Sequence, residues 1–375
     1  MKRFFLLFFL ITKISLVFGI DYSKIDNQSK TVPSKLKTPI EIGQYLAQNL
    51  TTPTDKARAI YYWITQNIRY DLKQLNSNKV YANTQEILNE VLNNRQGVCQ
   101  HYSELFHACC QSVGLQSYVI SGYTSQNGKV DVIGHAWNAI KIDNKFYNID
   151  VTWAAGHLEN GKYKQEFNDQ YFLVSPSEFI KTHIPFDPIW QFLSNPITHK
   201  DFEDGNFEKL KIASNFNYND SIQALLSQNQ LVKSVNENRR IKKFGVTTAL
   251  IRNRVAYNQQ IIVNEKYNYT VDMFNKAVEV YNNYVLQKNK QFQKTSLPDE
   301  EILGFLSAVH QYIDNANSTL RFLTADNADL NNRIAGLQIS IDNLTNDLQK
   351  EDAFVKKYIS TWKPFRMALF STVRF

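Results

Sequence analysis

Three residues capable of joint chemistry occur in a telling order along this 375-residue chain: Cys99 in GVCQHYSELF (97–106), His135 in GHAWN (134–138) and Asp150 in YNIDVTW (147–153). A thiol, an imidazole and a carboxylate can serve as nucleophile, general base and the group that orients the base. Imidazole titrates in the range needed to take or share a thiol proton. No other stretch offers a comparable combination.

The elements around the three residues are suited to position them. After Gly97 and Val98, the apolar residues Leu105, Phe106, Cys109, Cys110 and Val113 recur at helical spacing, and Gly114 stops the run. Cys99 then falls in the first turn of a buried helix. Unpaired backbone N–H groups and the positive end of the helix dipole favour thiolate there. The Cys99 N–H is a candidate oxyanion donor, and Gln96 is near enough in sequence to be a second. Residues 135–142 and 145–153 alternate around Asp143-Asn144, which predicts a β-hairpin. That turn sets Ile142 opposite Lys145 and, counting back, Trp137 opposite Asp150. His135 shares the face of Trp137, so His135 and Asp150 become diagonal neighbours. Trp137 and Trp153 are placed to shield them from water.

These motifs resemble the transglutaminase-like superfamily, which shares the papain-like cysteine-hydrolase fold, and in particular its kyphoscoliosis-peptidase-like members. KARAIYYWITQNIRYD (56–71) and YFLVSPSEFIKTHIPFDPIWQFL (171–193) extend the resemblance over about residues 39–195. It implies that Cys99 is the nucleophile, His135 the base and Asp150 the orienting carboxylate. His101 departs from the pattern, since relatives usually carry a small residue there. An imidazole two residues from the nucleophile is expected to narrow the cleft or alter the thiol's surroundings.

Composition sets the wider limits. The chain is 43% hydrophobic and 13% aromatic, enough for a substantial core, with a net charge of +7 and a pI near 9.0. The positive charge is thinly spread, which suits anionic partners such as cell-surface polymers and gives no nucleic-acid-binding stripe. The opening MKRFFLLFFLITKISLVFG fits a secretory signal peptide over 1–20, which places the protein outside the cytoplasm, secreted or periplasmic. The sequons at Asn49 and Asn343 matter only in a eukaryotic secretory route. Cys99 and Cys110 are about 16 Å apart along a helix, too far for a disulfide, so the three cysteines are read as free thiols. His157, His183 and His199 lie in loop-like sequence without metal-ligand spacing. His183 could border the cleft, though a surface or structural role is the expectation, and no metal or cofactor is predicted.

The predicted architecture is α+β. A polar leader (21–38) with little structure precedes a papain/transglutaminase-like catalytic domain (39–205), in which N-terminal helices come before an antiparallel sheet. Helices are expected at 40–50, 54–70 and 83–92, strands at 117–124 and 171–174, and a proline-rich wrap over 175–205. From residue 218 glycine and proline nearly vanish. Tyr267, Val271, Phe274, Val278, Tyr281 and Val285, and again Leu330, Ile334, Leu337, Ile341, Leu344 and Leu348, step by four and three. These seams predict an antiparallel coiled-coil hairpin over 218–362, followed by a basic, aromatic tail (363–375) that is either a surface tail or packs on the bundle. The helical region could dock a protein partner, self-associate, or simply stabilise the chain. The expected activity is cysteine-dependent acyl transfer at an amide of a protein or peptide. Capture of the thioester by water gives a peptidase or amidase; capture by an amine gives a crosslinker. Hydrolysis is preferred from the peptidase-like resemblance and the lack of an EF-hand-type calcium loop. A binding protein using the helical region is the alternative.

Overall fold

Helix formation begins at Val98, whose extended backbone leads into the helix Cys99–Ser112. In this computed structural model, which describes residues 21–75, 77, 79–212 and 217–371, the chain divides after Pro185 into two compact units. The division falls inside the proline-rich segment. The expected signal peptide lies outside the described residues. Among the described residues no helix is long and apolar enough to cross a membrane.

In the first unit, α1 (Ser23–Ser29), α2 (Pro39–Leu46), α3 (Pro53–Asn67), α4 (Thr84–Asn94) and α5 (Cys99–Ser112) precede the sheet. Their starts follow local rules. Thr38 and Glu41 form a reciprocal capping box ahead of Pro39, and Thr52 caps α3 with Pro53 in its first turn. The apolar faces of α2, α3, α4 and α5 meet in one core that includes Ile42, Ile60, Val91, Phe106, Cys109 and Cys110. The leader is not structureless, as its polar composition had suggested. Helix α1 is clipped to α3 by a bidentate Asp26–Arg58 pair at 2.7–2.8 Å, and Asp169 is a second partner of Arg58. The Arg58 side chain is 2% exposed and stacks over Tyr22. This long-range pairing leaves no periodic signal in the sequence.

The sheet is antiparallel. Strand β1 (Ser117–Gln126) pairs with β2 (His135–Ile142), which pairs with β3 (Lys145–Ile149). The turn residues Asp143 and Asn144 both have positive φ, as the two-residue hairpin requires. The register is the expected one, with Ile142 opposite Lys145 and Asn138 opposite Ile149. Pairing stops there. Residues 150–153 do not continue the strand, because Asp150 turns to cap a short helix, α6 (Val151–Ala155). A small hairpin of β4 (Gly156–Glu159) and β5 (Lys162–Gln165) follows. The predicted strand at 171–174 is reduced to one bridge between Val174 and Asn148. The last strand is instead β6 (His183–Pro185), on β1. Gly122 makes that pairing possible: a Cβ there would lie 2.1 Å from the Ile184 carbonyl oxygen and 2.4 Å from the Trp137 ring.

The second unit is helical: α7 (Tyr218–Leu226), α8 (Gln230–Phe244), α9 (Ala249–Asn289), α10 (Asp299–Leu320) and α11 (Ala328–Ser360). Pro298 breaks the pattern and starts α10, with Asp299, Glu300 and Glu301 in its first turn, so three long helices stand in the region read as a coiled-coil hairpin. Ile302, Leu306, Val309, Ile313, Ala316 and Leu320 give α10 its own buried stripe. The seams of α9 and α11 are shared out around it: Ile341 and Leu348 are fully buried, whereas Tyr267, Phe274 and Ile334 are partly covered. The tail packs on this bundle as far as it is described. Arg366 is buried and pairs bidentately with Asp299, and Phe370 sits among Phe292, Phe354 and Tyr358.

Candidate active site

The three residues singled out from the sequence come together at one end of α5. Cys99 opens that helix and is partly exposed, while Cys109 and Cys110 are buried; all three thiols are free. Burial pushes the Cys109 thiol up to about 12 and Cys110 well above its ordinary value. Cys99 is therefore the thiol within reach of solvent. His135, at the start of β2, hydrogen-bonds the Cys99 side chain and donates from Nε2 to Asp150 Oδ2 at 2.7 Å. With Nε2 committed to the carboxylate, Nδ1 is the ring nitrogen left for the thiol.

Asp150 is held on every side. Its side chain caps α6: Oδ1 accepts from the N–H groups of Thr152 (2.9 Å) and Trp153 (3.0 Å). Oδ2 accepts from His135 and also from His183 Nε2 at 3.1 Å. The carboxylate is fully buried. Burial alone would raise its pKa, but the two imidazoles outweigh that and hold it well below the usual carboxylate range. His135 shows the complementary effect. Burial favours its neutral form, yet Asp150 first and Cys99 second raise it to about 10. An imidazolium beside the thiol is thus favoured over a broad pH range. The arrangement can keep a thiol deprotonated, deliver a proton to a leaving amine and return it to the site.

Sequence alone ranks a surface or structural role for His183 ahead of a place bordering the cleft. Expected to be structural or at the surface, it is fully buried, and its Nε2 lies on the same carboxylate oxygen as His135. Its ring is boxed by Phe179 (4.0 Å between centroids), Trp153 (4.4 Å) and Trp137 (5.4 Å). The signal that could have found it is Gly122. An isolated glycine inside a strand pattern marks close approach by another backbone, and here that backbone carries His183.

His101 occupies a different place from the one expected. Its ring is buried behind the start of α5 and not in the cleft. Nδ1 accepts from the Val98 N–H at 3.3 Å, and Nε2 lies 3.0 Å from the Tyr81 hydroxyl. It satisfies one of the orphan donors at the helix start, in the way a capping side chain does. Gly97 makes room, since a Cβ there would fall 2.6 Å from the His101 side chain. Gln96 is exposed and pairs with Arg69 in a two-residue parallel ladder.

A cleft of about 710 Å³ opens beside His135. Tyr70, Trp153, Phe167 and Tyr171 give it an aromatic lining, and Leu158 and Tyr163 of the β4–β5 hairpin form one wall. Trp153 and Trp137 lie 5.7 and 6.2 Å from the His135 ring, as their expected shielding role requires. Ligand-type atoms of His135, Asp150 and His183 cluster within 4.8 Å, the spacing of a possible metal site. Here those atoms satisfy one another as donors and acceptors. Coordination would also require His135 to surrender a proton that it holds to about pH 10. The cluster reads as a hydrogen-bonded relay.

Comparison with known proteins agrees with this geometry. Residues 40–151 match the model of the transglutaminase-like superfamily. The chain is similar to kyphoscoliosis peptidase from Homo sapiens, 28% identical over 228 residues, covering 57% of this chain and 32% of the relative. It is similar to cytokinesis protein 3 from Schizosaccharomyces pombe, 29% identical over 186 residues, covering 47% of this chain and 20% of the relative. A solved structure described as a TGase aligns with 42% of this chain and 38% of its own, at 19% identity and a TM-score of 0.24. The chain thus spans about a third or less of the length of these curated relatives. The matched stretch contains Cys99, His135 and Asp150 together with the helices and strands that position them, and through it the chain carries a domain of the transglutaminase-like superfamily.

Proposed function

We propose that the chain is a cysteine-dependent acyl-transfer enzyme acting on amide bonds of a protein or peptide, with hydrolysis as its main outcome. The observation that carries this reading is the continuous contact Cys99–His135–Asp150, with the imidazole held protonated between a thiol and a buried carboxylate. Cys99 attacks the amide carbonyl and forms a thioester. His135 gives its proton to the departing amine. Water then attacks the thioester, His135 takes a proton from it, and the acid leaves as Cys99 is restored. The Cys99 N–H at the start of α5 is the oxyanion donor. The aromatic cleft takes an apolar or aromatic side chain of the substrate.

Similarity to a protein named a peptidase favours hydrolysis over crosslinking. The proposed setting is extracytoplasmic, from the signal-like opening sequence, with the helical bundle available to a protein partner or a second copy.

Alkylation of each cysteine, followed by mass spectrometry from pH 4 to 10, tests the central step. Cys99 should react well below the ordinary thiol pKa of about 8.5, and His135→Ala should abolish that reactivity. Cys109 and Cys110 should stay unlabelled in both. If Cys99 titrates like a free thiol whether or not His135 is present, the enzymatic reading fails.

A further inference from the structure

Four donors converge on the Asp150 carboxylate, and one of them has no part in the chemistry described above. The two backbone donors take Oδ1; His135 and His183 share Oδ2. The histidines differ sharply in their surroundings. His135 is 10% exposed and touches the thiol. His183 is 0% exposed, encased in aromatic rings, and has its other nitrogen 2.8 Å from the Thr182 hydroxyl. The hydroxyl can donate to Nδ1, which fixes the His183 proton on Nε2, directed at Asp150. The charged and titratable groups facing His183 are Asp150, His135 and Asp131, with Tyr171 at its ring edge. Burial, reinforced by the positive His135, depresses His183 to about 4, so it remains a neutral donor wherever His135 is an imidazolium.

We propose that His183 is a positioning residue: its Nε2–H holds Asp150 Oδ2 in place, so that the carboxylate stays anionic and correctly aimed at His135. A lone buried carboxylate facing a single imidazole can rotate about its terminal torsion or take up a proton. With both oxygens pinned it does neither. The same neutral donor offsets the burial of the negative charge without adding a competing positive one. This role rests on the acyl-transfer reading of the site, but the bond itself does not.

Two substitutions separate positioning from packing in the full chain. His183→Phe keeps an aromatic ring in the box and removes the donor. His183→Gln restores a side-chain N–H of similar reach. An Asp150 carboxylate that is no longer held in place supports the His135 imidazolium less, so the proton stays on the Cys99 thiol to higher pH, and loss of one charge-assisted hydrogen bond should move the acid limb of Cys99 alkylation by iodoacetamide up by about one pH unit. On that acid limb, His183→Phe should react roughly tenfold more slowly than wild type, and His183→Gln should recover most of the loss. Circular dichroism and melting should show both variants folded. In the long-range 1H–15N spectrum of the Cys99→Ala protein, His183 should be the neutral Nε2–H tautomer between pH 5 and 8. An Nδ1–H tautomer, an unmoved acid limb in His183→Phe, or a His183→Gln variant as slow as His183→Phe would each overturn the positioning role. An unreactive wild-type Cys99 with the His183 tautomer intact would instead overturn the enzymatic reading and leave the Asp150–His183 bond standing.

Discussion

The catalytic unit and the three-helix bundle are held together by different physics. Around the site, buried polar groups are specified pairwise: Arg58 with Asp26, His101 with the Val98 N–H, His183 with Asp150, and Asn138 with the Ser103 carbonyl. In the bundle the recurring feature is the apolar stripe, such as Ile302–Leu306–Val309–Ile313 along α10, with the Arg366–Asp299 pair pinning the tail and exposed ion pairs such as Lys276–Asp272 outside. A buried polar pair fails when either partner is removed, whereas an apolar stripe loses stability in proportion to the volume lost.

Substitutions on the two sides test that contrast. The largest effect is expected from Cys99→Ala, which should lower turnover by roughly a thousandfold or more while leaving the melting curve unchanged. No single position in the bundle should behave that way. Asp26→Ala leaves the Arg58 guanidinium buried with only the half-exposed Asp169 as partner; it should cost about 3 kcal/mol in denaturant unfolding of the first unit. Leu306→Ala should cost a similar ~3 kcal/mol in the second unit through its cavity alone, with the alkylation rate of Cys99 unaltered. If that substitution slowed Cys99, the two regions would not be energetically separate. Turnover should fall as pH rises through about 10, where His135 loses the proton it must give to the leaving amine. A stopped-flow pH profile whose alkaline limb sits near the ordinary imidazole value would show that Asp150 does not support it. The smallest effect belongs to Lys276→Ala on the exposed face of α9, which should leave the melting midpoint where it is.

How much of this was legible in the sequence depends on whether each feature was local. The α5 start at Cys99, the Asp143-Asn144 turn and the register from Ile142 to Lys145 follow from short-range rules, and the structure bears them out. The bond from His135 to Asp150 followed from that register. What escaped depends on residues far apart in sequence. Asp150 leaves the strand because its side chain caps the next helix, a choice that alternation cannot reveal. Helix α1 is held by Arg58 of α3, and His183 arrives on a three-residue strand too short for any periodicity. The break and restart at Pro298, with acidic residues in the first turn of α10, follow from local rules, but the buried stripe of that helix lies outside the two seams that periodicity picks out.

The donors gathered on Asp150 bear on how the chain acquires its reactivity. The thiol comes from residue 99, its imidazole from 135, the carboxylate from 150 and the second imidazole from 183, on a strand that closes the sheet last in sequence order. Contacts this far apart in sequence form slowly, because the intervening chain must be ordered first. On the acyl-transfer reading, an emerging or partly unfolded chain lacks the contacts that would activate Cys99, and these exist only once the sheet has closed. Labelling of Cys99 at mildly acidic pH should thus serve as a clock for the last step of folding.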